Sequence, residues 1–504
     1  MKYLQGQHIL ILGLGSSGLA MTRWCAQMGA DITVADTRES PANLQVLKSE
    51  LPEVQFKSGP FAANLIEGTS VRAVFASPGL TPIETLPVIA AAQAMGLWVG
   101  GELSLFVQAL ENLKATRDYA PQVLAITGTN GKTTVTALTG QLIERAGKTV
   151  KVAGNIGPTL LDSLRLSMAT ALPEVWVLEL SSFQLDNAGP FEPSAATVLN
   201  ITQDHLDWHG NMAAYAAAKE KIFGASSLMV LNRDDARVMA MLPEPVRAKL
   251  QKPVVRAHVT YGAEMPQRPG DFGLETVNGM TWLVRALEAD ETRRLRKGEV
   301  EEIHIQRLMP ADALRIRGRH NAVNALAALA LATSTGASLA SMLFGLREYK
   351  GEPHRVEPVA IVNEVEYFDD SKGTNVGATV AALLGLGAER RVVVILGGEG
   401  KGQDFSPLAE PVARYARAVV LIGRDAPLIR EEIKASGVPL IDASTLPEAV
   451  NAAKNIAQAG DAVLLSPACA SFDMFRDYPH RAQVFCQAVA EIAEAAGQVM
   501  EASL

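Results

Sequence analysis

The run Thr-Gly-Thr-Asn-Gly-Lys-Thr-Thr at 127–134 carries the most concentrated chemistry in this chain. It follows the apolar stretch Val123, Leu124, Ala125 and Ile126, and a helically patterned stretch, 135–146, comes after it. Strand, glycine loop, Gly-Lys-Thr and helix is the order that cradles a nucleoside triphosphate. Gly128, Thr129, Asn130 and Gly131 would turn backbone N–H groups to the phosphates at the helix N-terminus. Lys132 would neutralise them, Thr133 would offer its hydroxyl to Mg²⁺, and Thr134 would close the loop. The bland alternative is a glycine turn ending a buried strand. The loop is a shortened relative of the usual one, because Ile126 stands five residues before Gly131, where glycine is the rule.

A second run, Gly13-Leu-Gly-Ser-Ser-Gly18, separates a predicted strand (8–12) from a predicted helix (17–28), and Asp36 ends the next strand. This fingerprint means a phosphate site at a helix N-terminus plus an acceptor for ribose or base, unless the glycines serve helix–strand packing alone. Glu179 follows a strand directly, and a hard carboxylate near a phosphate loop suits Mg²⁺. Alone it reads more readily as a surface residue or a helix cap. His205, also at a strand end, could hold a metal or a phosphate, although a lone histidine is usually structural. Lys219 lies on an alanine-rich helical stretch and by itself reads as a solvated lysine. In the last third, His354-Arg355, Asp369-Asp370-Ser-Lys372-Gly-Thr374-Asn375 and Gly397-Gly-Glu-Gly-Lys401 set cations beside glycine and aspartate, which suits phosphates or carboxylates. Ser466-Pro-Ala-Cys-Ala-Ser471-Phe-Asp473 could receive a small ligand through backbone groups, or start a helix capped by Ser471.

The elements that must position these groups form an α/β chain. Strands rich in Val, Ile and Leu alternate with alanine-rich helical stretches throughout, which predicts mainly parallel sheets. Three domains are expected: 1–115, 116–352 and 353–504, with a polar linker over 115–121. Residues 243–312 break the rhythm and read as an accessory, β-rich insertion whose run 291–302 is a solvated charged excursion. With 48% hydrophobic and 20% charged residues over 504 positions, the chain has ample core material. The net charge of −8 argues against general nucleic-acid binding and leaves anionic substrates to local cationic clusters. Cys25, Cys469 and Cys486 make no disulfide framework, which fits a reducing compartment. The N-terminus lacks a signal-peptide layout, and no run of about 18 apolar residues predicts a membrane span, so a cytoplasmic address is expected.

In order along the chain, these strings resemble the ATP-dependent Mur ligases, with which the folylpolyglutamate synthases share a core plan. The resemblance rests on 127–134, Gly154-Asn155-Ile156-Gly157, Glu179-Leu-Ser-Ser-Phe-Gln-Leu, Asp204-His205-Leu-Asp207, His320-Asn321, His354-Arg355 and Asp370-Ser-Lys372-Gly-Thr-Asn375. It runs from Gly13 to about Phe485, except for the long 243–312 region. The strings at 369–376, 396–401 and 465–473 are similar to those of the D-glutamate-adding branch.

What this implies is a Rossmann-like first domain binding UDP, a P-loop ATPase-like centre and a Rossmann-like third domain. The expected reaction joins D-glutamate to UDP-N-acetylmuramoyl-L-alanine through an acyl phosphate and a tetrahedral intermediate, in cytoplasmic peptidoglycan synthesis, by a monomer. ATP would meet the loop, Asn321, Arg355 and Asp370. Two Mg²⁺ sites would draw on Thr133, Glu179, His205 and Lys219, the last carbamylated by CO₂. Gly15, Ser16, Ser17, Gly18, Asp36, Thr37, Arg38, Ser77, Gly79, Asn155 and His205 would serve the UDP substrate. Lys372, Thr374, Lys401, Ser471, Phe472 and Tyr478 would surround D-glutamate. A relative adding another amino acid, an NAD-dependent dehydrogenase built on 13–18, and a non-catalytic nucleotide-binding module are the competing readings; the dehydrogenase leaves Lys132, Glu179 and His205 without a task, and the module leaves the acid, base and metal candidates without one.

Overall fold

The structure, a computed structural model, describes residues 3–246, 254–289, 302–388 and 390–498. The charged run at 291–302 therefore lies outside the described residues except for Glu302.

The first sheet is a five-stranded parallel one. Its central strand, His8–Leu12, lies between Asp31–Asp36 and Val71–Ala76, with Gln55–Ser58 and Trp98–Gly100 at the edges. Ile9 to Leu12 are fully buried because helices cover both faces, which is why the strand reads as a continuous apolar run. The helix Ser16–Gln27 leaves the Gly13–Gly18 turn and packs back on it. A Cβ at Gly18 would sit 1.9 Å from the Gly13 carbonyl oxygen and 2.8 Å from Ser77 Oγ, so only glycine lets helix and strand meet this closely.

The second sheet is parallel and six-stranded, in the order His258–Tyr261, Leu228–Asn232, Ala195–Val198, Gln122–Thr127, Val175–Glu179, Val150–Gly154. Its register decides where the chemistry falls. Ile126 pairs with Glu179 and with Thr197, and Glu179 pairs with Gly154. The phosphate loop, Glu179 and the Gly154 turn thus leave the sheet level with one another, at the carboxyl ends of the strands, where open α/β sheets hold ligands. The helix Lys132–Arg145 begins at the lysine itself, three residues before the apolar pattern suggests. The alanine-rich helix Arg319–Thr333 shares a core with Leu138 and Leu142 of that helix.

Two boundaries differ from expectation. The helix Glu102–Arg117 runs into the predicted linker, so the connection shortens to 118–121. The 243–312 region is not wholly accessory. His258–Tyr261 is an edge strand of the central sheet, and only Phe272–Val277, Met280–Glu288 and Ile303–Pro310 form a separate antiparallel sheet.

The fourth sheet runs Glu357–Val362, Val365–Asp369, Ala462–Leu465, Val392–Gly397, Ala416–Ile422, Leu440–Asp442, parallel but for its first edge strand. Ser471 caps no helix. The next helix, Tyr478–Ala495, starts later and is capped by Asp477, whose side chain accepts from His480 N at 2.8 Å. Among the described residues no helix is long and apolar enough to cross a membrane.

Substituting Gly18→Ala should destabilise the protein by about 1–3 kcal/mol through this forced contact. Urea denaturation checks it, and an unchanged midpoint would contradict the packing argument.

Candidate active site

The phosphate loop takes its shape from a neighbouring strand end. Asn200, just beyond Ala195–Val198, accepts from Asn130 N through Oδ1 at 2.8 Å and donates to Asn130 O from Nδ2 at 3.1 Å. Gly131 caps the helix at φ +83°, in the left-handed region that glycine enters freely. The first N–H groups of the helix then face outward without intrahelical partners.

Cations crowd this loop. Lys132 Nζ donates to the carbonyls of Gly128 at 2.7 Å and Thr129 at 2.8 Å. Lys219 Nζ donates to the same Gly128 carbonyl at 3.0 Å and to Thr127 Oγ1 at 3.1 Å, and lies 4.8 Å from the centre of the Tyr215 ring. The solvated lysine expected at 219 is in fact 1% exposed. From the third domain, Arg355 Nη2 donates to Thr133 Oγ1 at 2.8 Å and Lys372 Nζ approaches the same oxygen at 3.4 Å. Burial depresses the Lys132 ammonium, and Arg355 adds to this against Glu179 and Asp204. Burial, then Lys132, holds Lys219 well below the usual lysine range. Lys372 falls to about 8 through burial and the nearby Arg355.

The acids facing them are few. Glu179 is buried; Oε1 accepts from Asn155 Nδ2 at 2.7 Å, while Oε2 has no hydrogen-bond partner among the described residues. An orphaned buried carboxylate oxygen beside a phosphate loop is a ready ligand for a hard cation. His205 sits at φ +54° with its ring 4.7 Å from that of Phe183 and Nε2 3.6 Å from Asp204 Oδ2. Burial lowers its pKa, Asp204 opposes this, and Lys132 and Lys219 reinforce it, so the imidazole stays neutral and can offer a lone pair.

Two cavities flank the loop. One, of about 120 Å³, is lined by Gly131, His320, Asn321, Asn324, Arg355 and Asp370, among others. Asp370 is buried there, accepts from Ser466 Oγ at 2.6 Å, and is raised to about 7 by burial despite Ser466 and Arg355. The other, of about 100 Å³, brings Thr374 and Lys401 together with Asp204 and His205. Lys401 lies 5.8 Å from the ring centre of Phe472, and Lys372 lies 5.7 Å from that of Tyr478. Ser471 is buried, its carbonyl accepting from Phe475 N at 2.8 Å. Reciprocal backbone bonds between Glu399 and Ala470, at 3.0 and 2.9 Å, stitch the 397–401 and 466–473 loops side by side. A roomier cavity of about 270 Å³, near Leu274, Leu314 and Ala388, holds none of the candidate residues.

The first-domain candidates need a correction. Asp36 Oδ2 accepts from Leu14 N at 2.7 Å, and Oδ1 from Arg38 N at 3.0 Å and Arg38 Nε at 2.8 Å. Burial works against its charge, but Arg38 and these N–H groups prevail and bring it to about 2. Asp36 thus clamps the glycine turn and aims Arg38, whose side chain stays exposed, rather than standing free as an acceptor. Ser77 Oγ likewise donates to Gly13 O at 3.0 Å. Gly15, Ser16 and Ser17 belong to the same turn, and Thr37 and Gly79 follow Asp36 and Ser77 closely in sequence.

Several participants were given no role in the sequence reading. Asp204 and Tyr215 face the lysines, Asn200 shapes the loop, and Asn324 meets Gly131. Asn324 was signalled only by its i+3 relation to Asn321.

The chain matches three family models: the Mur ligase MurD-like N-terminal domain over 7–101, the Mur ligase middle domain over 126–332, and the Mur ligase glutamate ligase domain over 354–469. It is similar to a UDP-N-acetylmuramoylalanine–D-glutamate ligase of Albidiferax ferrireducens, 70% identical and covering 99% of both chains. One from Cupriavidus pinatubonensis is 57% identical, over 98% of this chain and 99% of that one. Among solved structures, a UDP-N-acetylmuramate-alanine ligase from Thermotoga maritima shares the fold at TM-score 0.54 and 20% identity, over 96% of this chain and 99% of that chain. A MurF ligase from the same organism, in complex with ADP, shares it at TM-score 0.55 and 15% identity, over 97% and 96%.

The depressed Lys219 gives a signed expectation. An unfolded lysine keeps its proton to about pH 10.4. Between the folded and unfolded pKa values the unfolded chain binds more protons, so this residue makes stability rise with pH through that window. In carbonate-free buffer Lys219→Met should flatten the rise between neutral pH and about 10. Equal pH slopes for the two proteins would contradict the burial argument.

Proposed function

The chain belongs to the Mur ligase family of ATP-dependent, amide-forming ligases, and from that premise we propose how its residues divide the reaction. It joins D-glutamate to UDP-N-acetylmuramoylalanine in peptidoglycan synthesis. The observation that carries the assignment of roles is the convergence of Lys132, Lys219, Arg355 and Lys372 on a phosphate loop beside the orphaned Glu179 oxygen.

A carboxylate does not form an amide unaided. The acceptor's alanyl carboxylate attacks the γ-phosphorus of ATP, ADP leaves, and an acyl phosphate forms. The amine of D-glutamate then adds to the acyl carbon; the tetrahedral intermediate loses phosphate, and the amine's proton passes to solvent or base. Catalysis of both steps is charge neutralisation and alignment. Lys132 and the N–H groups of Gly128 to Thr134 hold the β- and γ-phosphates. Arg355 moves from Thr133 to the transferring phosphoryl group, with Asn321, Asn324 and Asp370 around the nucleoside. Mg²⁺ fits the donors present, supplying charge neutralisation to the phosphates when bound. Thr133 and Glu179 would hold one ion, His205 and a carbamylated Lys219 a second, and Asn155 would orient Glu179 toward the acceptor.

The carbamate has a physical basis. A buried lysine held well below its usual range keeps a neutral amine, which adds to CO₂ with loss of a proton. The product places a hard anionic donor beside Lys132. Lys372, Thr374, Lys401, Ser471, Phe472 and Tyr478 take D-glutamate. Gly15, Ser16, Ser17, Gly18, Thr37, Arg38, Ser77 and Gly79 take the UDP moiety, with Asp36 positioning them. The enzyme is taken as a monomer, and the need for ATP supports a cytoplasmic enzyme.

Phosphate release with Mg²⁺, bicarbonate and the UDP substrate should depend on D-glutamate and not on other amino acids. Release equal with and without D-glutamate would overturn the assignment. Lys219→Ala should lose on the order of 100-fold in turnover and recover in part with acetate. Full activity in the unrescued variant would remove the carbamate.

A further inference from the structure

The side chain of Asn130, at the tip of the phosphate loop, meets that of Asn375 across the domain boundary. Asn130 Nδ2 donates to Asn375 Oδ1 at 3.2 Å, and Asn375 Nδ2 donates to Asn130 Oδ1 at 3.0 Å. Two primary amides paired reciprocally satisfy both polar ends at once, and Asn375 is only 5% exposed. The contact is built in from both sides. Asn200 fixes the backbone of Asn130. Asn375 caps the helix Val376–Gly387, its Oδ1 also accepting from Ala378 N at 2.9 Å, and its Nδ2 approaches Asp204 Oδ2 at 3.4 Å. A Cβ at Gly377 would lie 2.9 Å from Thr202 Oγ1 and 3.1 Å from Asn130 Nδ2, so glycine there permits the close approach.

This helix separates the two cavities. Ala378 and Ala382 line the one beside Gly131 and Asp370, and Thr374, one residue before Asn375, lines the one beside His205 and Lys401. Gln403, next to Lys401, accepts from Val376 N at 3.0 Å. Lys372 and Thr374 therefore hang from a short segment whose far end is anchored on the phosphate loop.

We propose that Asn130 and Asn375 form an amide latch that positions the amino-acid-binding segment 372–376 on the phosphate loop, so that Asn375 is a positioning residue for amide formation and not for carboxylate activation. This rests on the ligase reading above. The latch separates the two chemical steps: the acceptor carboxylate and ATP meet at the phosphate loop, where the third domain's Asp370 is held by Ser466 and not by the amide pair, whereas the incoming amine depends on Lys372 and Thr374 being held in register.

The test is Asn375→Ser, since serine caps a helix as well as asparagine but cannot reach into an amide pair. The KM for D-glutamate should rise about tenfold, the worth of one to two hydrogen bonds, with the KM for ATP little changed. Acyl phosphate formed without D-glutamate, trapped by borohydride reduction, should stay within about twofold of wild type, because no bond to the acceptor or nucleotide is removed. Asn375→Asp keeps the size and the cap but sets a carboxylate against Asn130 Oδ1 and Asp204; it should be more impaired in the second step and equally intact in the first. A wild-type KM for D-glutamate in either variant, or parallel loss of both steps, would overturn the latch. Failure of the ligase reading would show separately, as wild-type enzyme that needs no D-glutamate.

Discussion

Two pairs of basic side chains, each sharing one neutral oxygen, set the terms for the rest of this structure. Lys132 and Lys219 both donate to the Gly128 carbonyl, and Arg355 and Lys372 both donate to the Thr133 hydroxyl. Protonation of one group in such a pair opposes protonation of the other. Burial first, and the neighbouring cations second, lower the pKa values of Lys132, Lys219 and Lys372, while Glu179 opposes this at all three and Asp204 at the first two. Such an arrangement holds a polyanion better than it holds itself. A triphosphate and a carbamate at Lys219 would each remove repulsion as well as add contacts.

The fold explains how charges of one sign come to be this close. Parallel pairing brings Ile126, Glu179 and Gly154 level, so three loops open at one edge of one sheet. Lys219 arrives from the helix Met212–Glu220 beneath the loop, with Tyr215 beside it. Arg355 and Lys372 arrive from the third domain. The repulsion between these two sources makes closure without nucleotide unfavourable and closure around it favourable, which is the condition for a conformational step that follows substrate. The Asn130–Asn375 pair adds an uncharged contact to the same interface, and its strength does not depend on which anion is present.

The sequence is most legible where chemistry coincides with a strand end. The phosphate loop, Glu179 and the third-domain strings could be found because apolar runs stop there and glycines or charges begin. Lys219 was illegible alone, because an alanine-rich helix shows its face only when packed. Asp204, Asn324 and Asn375 are ordinary residue types whose partners lie far off in the chain. Asp36 was legible as an acid at a strand end, but its hydrogen bonds to Leu14 N and Arg38, which make it a clamp, depend on the turn closing over it. The insertion misled for a related reason: polar and proline-rich flanks hide His258–Tyr261, a four-residue edge strand that needs its neighbour Leu228–Asn232 to be recognised.

The central claim is that the site is a cation cluster completed by anionic nucleotide. Titration calorimetry with the Mg²⁺ complex of a β,γ-methylene ATP analogue tests it, run near pH 8, where Lys372 stands close to half-protonated. An arriving polyanion raises the lysine pKa values, so binding should draw protons from the buffer, and the observed heat should vary with buffer ionisation enthalpy in the direction of uptake. Heats that are identical across buffers, or that report proton release, would contradict the account.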